Sequence, residues 1–153
     1  MARNDAMVDA PAEVVFSLLR DPRSYEHWVV GNKRVRRFDP AWPEPRSEFH
    51  HTVGFGPLAV RDKTCVAEVD PPTCLVLHAR AMPAGVAEVR LDLTPQGAGT
   101  RVTITEQPIS GPAARFSNPV LDLLVGARNA ESLRRLRRLA EERQASPGAS
   151  ARS

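Results

Sequence analysis

The chain has 153 residues, a formal net charge of +3 at pH 7 and a pI near 9.4, a size that fits one domain with a real core. It contains no run of 18 apolar residues, so no membrane span is expected. The first residues lack the apolar core of a signal peptide, which predicts a cytoplasmic protein. Arginines cluster near the end of the chain without interleaved aromatic residues, which favours a solvated face over a nucleic-acid surface.

The first third of the chain predicts one strand and two short helices. Met7–Ala10 is a short strand, and Pro11 lies in the first turn of a helix over Ala12–Arg20. A second short helix is predicted over Arg23–Trp28. A strand over Lys33–Phe38 and a loop with three prolines over Asp39–Arg46 follow.

The middle of the chain predicts antiparallel strands joined by turns. Glu48–Phe55 alternates between apolar and polar residues, which is typical of a half-buried strand. The turns between the strands contain glycine and proline. The further strands are predicted over Leu58–Val69, Leu75–Arg80, Ala87–Leu93 and Arg101–Gln107, and Pro108–Ser117 is predicted as a loop.

A long amphipathic helix is predicted over Pro119–Arg143. Helical spacing places Leu121, Val125, Ser132, Leu136 and Leu139 on one face, beside Asn129, Leu133 and Ala140. Asn129 and Ser132 interrupt this stripe in its middle. Two interpretations remain open: the helix edge touches water, or side chains do not fill the space between helix and sheet. We expect residues 1–143 to form a single domain and residues 144–153 a disordered tail.

The two cysteines and four histidines predict no disulfide and no metal site. Cys65 and Cys74 flank a turn in positions that place their thiols more than about 10 Å apart, too far for a bridge. His50 and His51 point to opposite faces of a strand, so they cannot bind one metal ion together. Motifs for phosphate or dinucleotide binding and for common hydrolases are absent, and no cofactor is expected.

Three residues are candidates for chemistry because each is polar on a mostly apolar face. His51 shares its face with Phe49, Val53 and Phe55, and Glu106 shares its face with Val102 and Ile104. Arg128 lies at the border of the helix stripe. Each is a catalytic candidate or an ordinary structural residue. The full set of predicted ligand-binding residues is Trp28, Trp42, Phe49, His51, Phe55, Val89, Leu91, Glu106, Leu121, Val125, Asn129 and Ser132, with Trp42 as a possible lid.

The order of elements and four short motifs resemble the START-like superfamily, also called SRPBCC. The motifs are the helix start Asp9–Val14, the aromatic residue Trp28, and the turns Val69–Pro72 and Gly99–Val102. The resemblance covers about Met7–Arg143. The superfamily includes birch-pollen allergen relatives, lipid-transfer START domains and aromatase/cyclases of polyketide synthesis.

The resemblance implies an α+β helix-grip fold. In this fold a curved antiparallel sheet of about seven strands wraps around a long C-terminal helix, and two short helices near the N-terminus close one end. A cavity for a hydrophobic molecule lies between helix and sheet. One fold carries many functions, so the activity does not follow from it.

We rank three hypotheses for function. The first is binding of a small hydrophobic or aromatic molecule or lipid, as a carrier or sensor. The second is a metal-free enzyme similar to polyketide cyclases/dehydrases that uses a pocket His, Glu or Arg for proton transfer. The third is an interaction protein that uses the arginine-rich helix face. A monomer or homodimer is expected.

Overall fold

A computed structural model describes residues 1–55, 58–81, 85–115 and 119–146. One seven-stranded antiparallel sheet has the order β1-β7-β6-β5-β4-β3-β2. Its strands are β1 (Ala2–Val8), β2 (Asn32–Phe38), β3 (Glu48–Phe55), β4 (Leu58–Asp70), β5 (Cys74–Ala81), β6 (Gly85–Gln96) and β7 (Gly99–Ser110). The helices are α1 (Ala12–Leu19), α2 (Tyr25–Trp28), α3 (Pro112–Arg115) and α4 (Pro119–Ala145), with one 3₁₀ turn at Pro22–Ser24. The predicted helix-grip architecture is confirmed.

The strands follow the period-two pattern of the sequence, and tight turns hold their register. Along β7, Val102 and Ile104 are buried among the core side chains. The β6–β7 hairpin turns at Gly97, whose φ of +60° suits a residue without a Cβ atom. At Gly99, an added Cβ atom would lie 2.6 Å from the backbone oxygen of Val8. The absence of a side chain there allows β1 to lie close against β7.

One end of the sheet is filled by an aromatic cluster. The rings of Tyr25, Trp28, Trp42 and Phe49 pack with centroids 4.8 to 5.9 Å apart. The Tyr25 hydroxyl and the Trp42 Nε1–H both donate to the backbone oxygen of Leu19, over 2.8 and 3.0 Å. These bonds satisfy the polar atoms of two buried rings and tie α1 to α2 and to the segment between β2 and β3.

The helix α4 packs chiefly on β1, α1 and α2. Its buried residues are Asn129, Ser132, Leu133, Leu136 and Ala140. The predicted face is therefore wrong in part: Leu121 is 39% exposed, and Val125 and Leu139 are half-buried. The buried face is rotated toward Asn129 because β1 and the short helices, rather than β6 and β7, provide most of the packing surface.

Several predicted boundaries are also corrected. β1 runs over Ala2–Val8 rather than Met7–Ala10, because its backbone pairs with β7 throughout although Arg3, Asn4 and Asp5 are polar. Pro108 was expected to end β7, but the strand continues to Ser110 through a register irregularity near Ala87. α3 lies in the predicted loop over Pro108–Ser117, and α4 ends at Ala145, two residues late.

Both cysteines are free, which confirms the prediction of no disulfide. Cys74 lies opposite Asp70 and Cys65 lies opposite His78, so the two cysteines are not paired across the hairpin. Within the described residues, no helix has the length and apolar character to cross a bilayer.

Candidate functional site

A cavity of about 120 Å³ lies between α4, α2 and the concave face of the sheet. Its walls come from six strands as well as from the two helices, and most of them are apolar side chains such as Leu77, Val89, Leu91 and Ile104. The polar break in the middle of α4 faces this cavity, since both Asn129 and Ser132 line it. The space between helix and sheet is thus not completely filled by side chains.

Most of the predicted site residues meet at this cavity. Those that line it are Trp28, Phe49, His51, Val89, Leu91, Glu106, Arg128, Asn129 and Ser132. Strand alternation and helical spacing predicted the inward faces of the strand residues and of Asn129 and Ser132, Arg128 was predicted at the border of the helix stripe, and the curvature of the sheet brings these faces together.

Three predicted residues lie elsewhere. Trp42 is buried behind Phe49 and bonds to the Leu19 backbone, so it is part of the core and does not cover the cavity. Leu121 and Val125 line a separate hollow of about 140 Å³ between the start of α4, the start of β6 and the end of β7. This hollow shares only the walls formed by Ala87 and Glu106 with the cavity. The side chain of Phe55 lies outside the described part of the structure.

His51 forms one polar point on the sheet side. The ring is 5% exposed, and its Nε2 lies 3.0 Å from the Thr64 hydroxyl. Burial lowers the pKa of His51 from 6.5 to about 4, and the nearby Asp62 carboxylate opposes this effect only in part. The imidazole is therefore neutral at pH 7. Among the described residues, its buried Nδ1 has no hydrogen-bond partner.

An ion pair forms the polar point on the helix side. Arg128 donates from Nη2 to Glu106 Oε1 over 2.7 Å, and the Asn129 amide donates to the same oxygen over 3.2 Å. The Glu106 side chain is 11% exposed. These charge-assisted bonds hold the carboxylate at the wall between the cavity and the hollow.

Sequence reasoning missed several wall residues. Leu77 and Ala79 occupy inward positions of β5, and the same alternation that identified Val89 could have found them. Asn32 lies one residue before the predicted strand over Lys33–Phe38; it is buried at the start of β2, and its Oδ1 has no partner among the described residues. The Ser132 hydroxyl accepts a bond from the Val30 N–H over 3.0 Å, which fixes the rim between α2 and α4.

The arrangement combines apolar walls with a few unpaired polar atoms at separate points. Such a cavity can hold an apolar molecule and orient it through one or two hydrogen bonds. Glu106 and Arg128 add one anion and one cation at the wall. Since His51 is neutral, its ring offers one donor and one acceptor nitrogen.

A family model described as polyketide cyclase / dehydrase and lipid transport matches residues 2–141. No curated protein sequence matches the chain. Protein NE0264 from Nitrosomonas europaea has a similar structure, with 20% identity, a TM-score of 0.70, and coverage of 92% of this chain and 93% of the other. Protein CV1439 from Chromobacterium violaceum has 17% identity, a TM-score of 0.71, and coverage of 91% and 95%.

The two-domain ARO/CYC protein StfQ from the steffimycin biosynthetic pathway also has a similar structure. Its identity is 15% and its TM-score 0.72, and the match covers 94% of this chain and 51% of StfQ. At these identities the likeness to solved structures concerns the fold.

Proposed function

The chain belongs to the polyketide cyclase / dehydrase and lipid transport family, and we propose that its cavity binds a small apolar or aromatic molecule as a carrier or sensor. The observation that carries this proposal is the apolar cavity between α4 and the sheet. Side chains in a protein interior normally fill such spaces, because unfilled volume loses packing energy. A cavity with mostly carbon walls and a few polar atoms is the usual composition of a ligand site.

The size of the cavity sets the class of ligand. Its volume of about 120 Å³ is of the same order as an engineered apolar cavity that accepts benzene. The ligand therefore has about one ring or a short chain inside the cavity. The atoms His51 Nδ1 and Asn32 Oδ1, which have no hydrogen-bond partner in the described part of the chain, favour a ligand with at least one hydrogen-bonding group.

Calorimetric titration with 4-phenylbutanol, a neutral molecule with one ring, tests the proposal. We expect saturable binding with one site per chain. Ala79→Phe should abolish the binding, because Ala79 lines the cavity and the added ring fills it. Ala130→Phe is the matched control, since Ala130 is exposed on α4 and the same change leaves the cavity open.

Folding of each variant is checked by circular dichroism, and Ala87→Leu provides a second filling variant from β6. If neither the unaltered protein nor its control binds phenylbutanol, naphthalene or indole, the binding proposal is wrong. If Ala79→Phe and Ala87→Leu fold and still bind these molecules, the ligand does not occupy this cavity.

A second candidate is an enzyme similar to polyketide cyclases/dehydrases. The Glu106 carboxylate favours it, because this group borders the cavity and could accept a proton from a bound carbonyl compound, while Arg128 stabilises the negative charge that results. His51, with its pKa lowered to about 4, is a weak base near pH 7. Incubation with a short poly-β-ketone and mass spectrometry of the products tests this candidate. Cyclisation or dehydration that is lost in Glu106→Gln supports an enzyme, and unchanged compound supports a binding protein.

A third candidate, an acidic partner on the arginine-rich face of α4, has weaker support. Arg134 and Arg135 pair with Glu131 over 2.7 and 3.1 Å, and Arg137 pairs with Glu141 over 3.1 Å. These pairs within the helix neutralise much of the positive charge on that face. The cytoplasmic location, the monomeric or homodimeric state and the lack of nucleic-acid binding stay predictions.

A further inference from the structure

A basic hollow lies on the surface beside the cavity. We define it by Arg36, His50, Arg61, Asp62, Lys63 and Arg80, which come from β2, β3, β4 and β5. It contains four cationic side chains and one carboxylate. The carboxylate belongs to Asp62, which is largely buried, whereas Arg61 and Arg80 are exposed. The surface of the hollow is therefore positive.

The cations of the basic hollow are only partly neutralised. Lys63 pairs with Glu48 over 3.4 Å, and Arg80 lies 3.7 Å from Asp62. Among the described residues, Arg36 and Arg61 form no ion pair with a carboxylate. Arg36 Nη2 donates weakly to the backbone oxygens of His51 and Asp62, each over 3.4 Å, and its buried Nε has no partner there. A guanidinium held in this way retains its capacity to attract an anion.

Two observations connect the basic hollow with the cavity. Arg80 lines both spaces, and its side chain is about half exposed. Arg36 also contacts a residue of the cavity wall, because its Nη2 donates to the backbone oxygen of His51, whose side chain lines the cavity. The cations of the basic hollow thus lie next to the place where the apolar walls begin.

We propose that the cavity ligand is an amphiphile with an anionic head group, either a carboxylate or a phosphate. Arg80, Arg61 and Arg36 bind this head group, and the apolar part of the ligand occupies the cavity. This inference rests on the proposed binding function and adds the charge of the ligand. A cavity of about 120 Å³ holds only part of a larger molecule. The remainder then lies beside Arg80, which lines both the cavity and the basic hollow, and a guanidinium there forms bidentate bonds with carboxylate or phosphate oxygens.

The test compares three ligands with the same ring and chain but different ends: 4-phenylbutyrate, 4-phenylbutyl phosphate and neutral 4-phenylbutanol. We expect each anion to bind at least about fivefold more tightly than the alcohol at low ionic strength, the effect of one favourable charge interaction. At 0.5 M salt this advantage should decrease, because salt screens exposed charges. Comparison of the affinities for 4-phenylbutyrate and 4-phenylbutyl phosphate shows which head group the protein prefers.

The variants Arg80→Gln and Arg61→Gln should remove most of the preference for the anions, measured in each variant as the ratio of its affinities for the anions and for the alcohol. Arg138→Gln is the matched control, since it removes the same charge from the exposed face of α4 and should change neither affinity. Arg61→Gln also serves if Arg80→Gln fails to fold, because Arg61 has no carboxylate partner among the described residues.

Three results would overturn the inference in distinguishable ways. Equal affinity for the alcohol and the anions contradicts the anionic head group but leaves the binding function intact. Anion binding that persists in folded Ala79→Phe places the anion on the surface alone. If none of the three ligands binds, the inference is wrong, and the proposed function is wrong as well if naphthalene and indole also fail to bind.

Discussion

The buried imidazole of His51 makes folding stability depend on pH. Burial lowers its pKa in the folded protein to about 4, whereas an exposed histidine has a pKa near 6.5. Between these two pH values the unfolded chain binds a proton that the folded protein does not. The contribution to stability is therefore fully present above pH 6.5 and is lost as the pH falls toward 4.

The size of this effect follows from the shift in pKa. One pKa unit corresponds to about 1.4 kcal/mol, so the shift of His51 amounts to about 3 kcal/mol. Carboxylates also titrate in this range, and the effect must be measured as a difference. We expect the stability of the protein relative to His51→Gln to decrease by about 3 kcal/mol between pH 7 and pH 4.

Urea unfolding at half-unit steps of pH measures this difference. His50→Gln is the matched control, because it removes the neighbouring histidine from the opposite face of β3, where its ring contacts Glu48 rather than the cavity. The NMR shift of the His51 ring proton should titrate with a midpoint near pH 4. A midpoint near 6.5, or equal pH dependence in the protein and in His51→Gln, would show that the ring is solvated.

Three further predictions concern the packing, the ion pair and the cysteines. In urea titrations, Leu136→Ala should lower the free energy of unfolding by about 2–5 kcal/mol, because Leu136 is fully buried. Leu123 on the same helix is 73% exposed, and Leu123→Ala should change this free energy by less than about 0.5 kcal/mol. Equal losses in the two variants would contradict the assigned buried face. A double-mutant cycle of Arg128→Met and Glu106→Gln should give a coupling of about 1 kcal/mol or more, and additive losses would mean that the pair is solvated. The intact mass should correspond to two free thiols, and a mass two units lower would reveal a disulfide.

Local patterns in the sequence were sufficient for the elements and for many of the cavity walls. The alternation in β3 and β6 identified Phe49, His51 and Val89 as inward residues, because successive side chains of a strand point to opposite faces. Asn129 and Ser132 interrupt the apolar stripe of the predicted helix, and this interruption marked the part of the helix that lines the cavity. These signals depend only on the geometry of one element, which the sequence of that element determines.

The tertiary structure decided how those faces meet. The Glu106–Arg128 pair joins residues 22 positions apart, and Arg80 borders both the cavity and the basic hollow. Trp42 is core, and Leu121 faces a different hollow. The periodicity of a single helix or strand does not predict these contacts. They depend on the curvature of the sheet, on the bulges that rotate its strands and on the surface that α4 contacts. The sequence determines which side chains point inward from each element, whereas the packing of the elements determines which of them share a space.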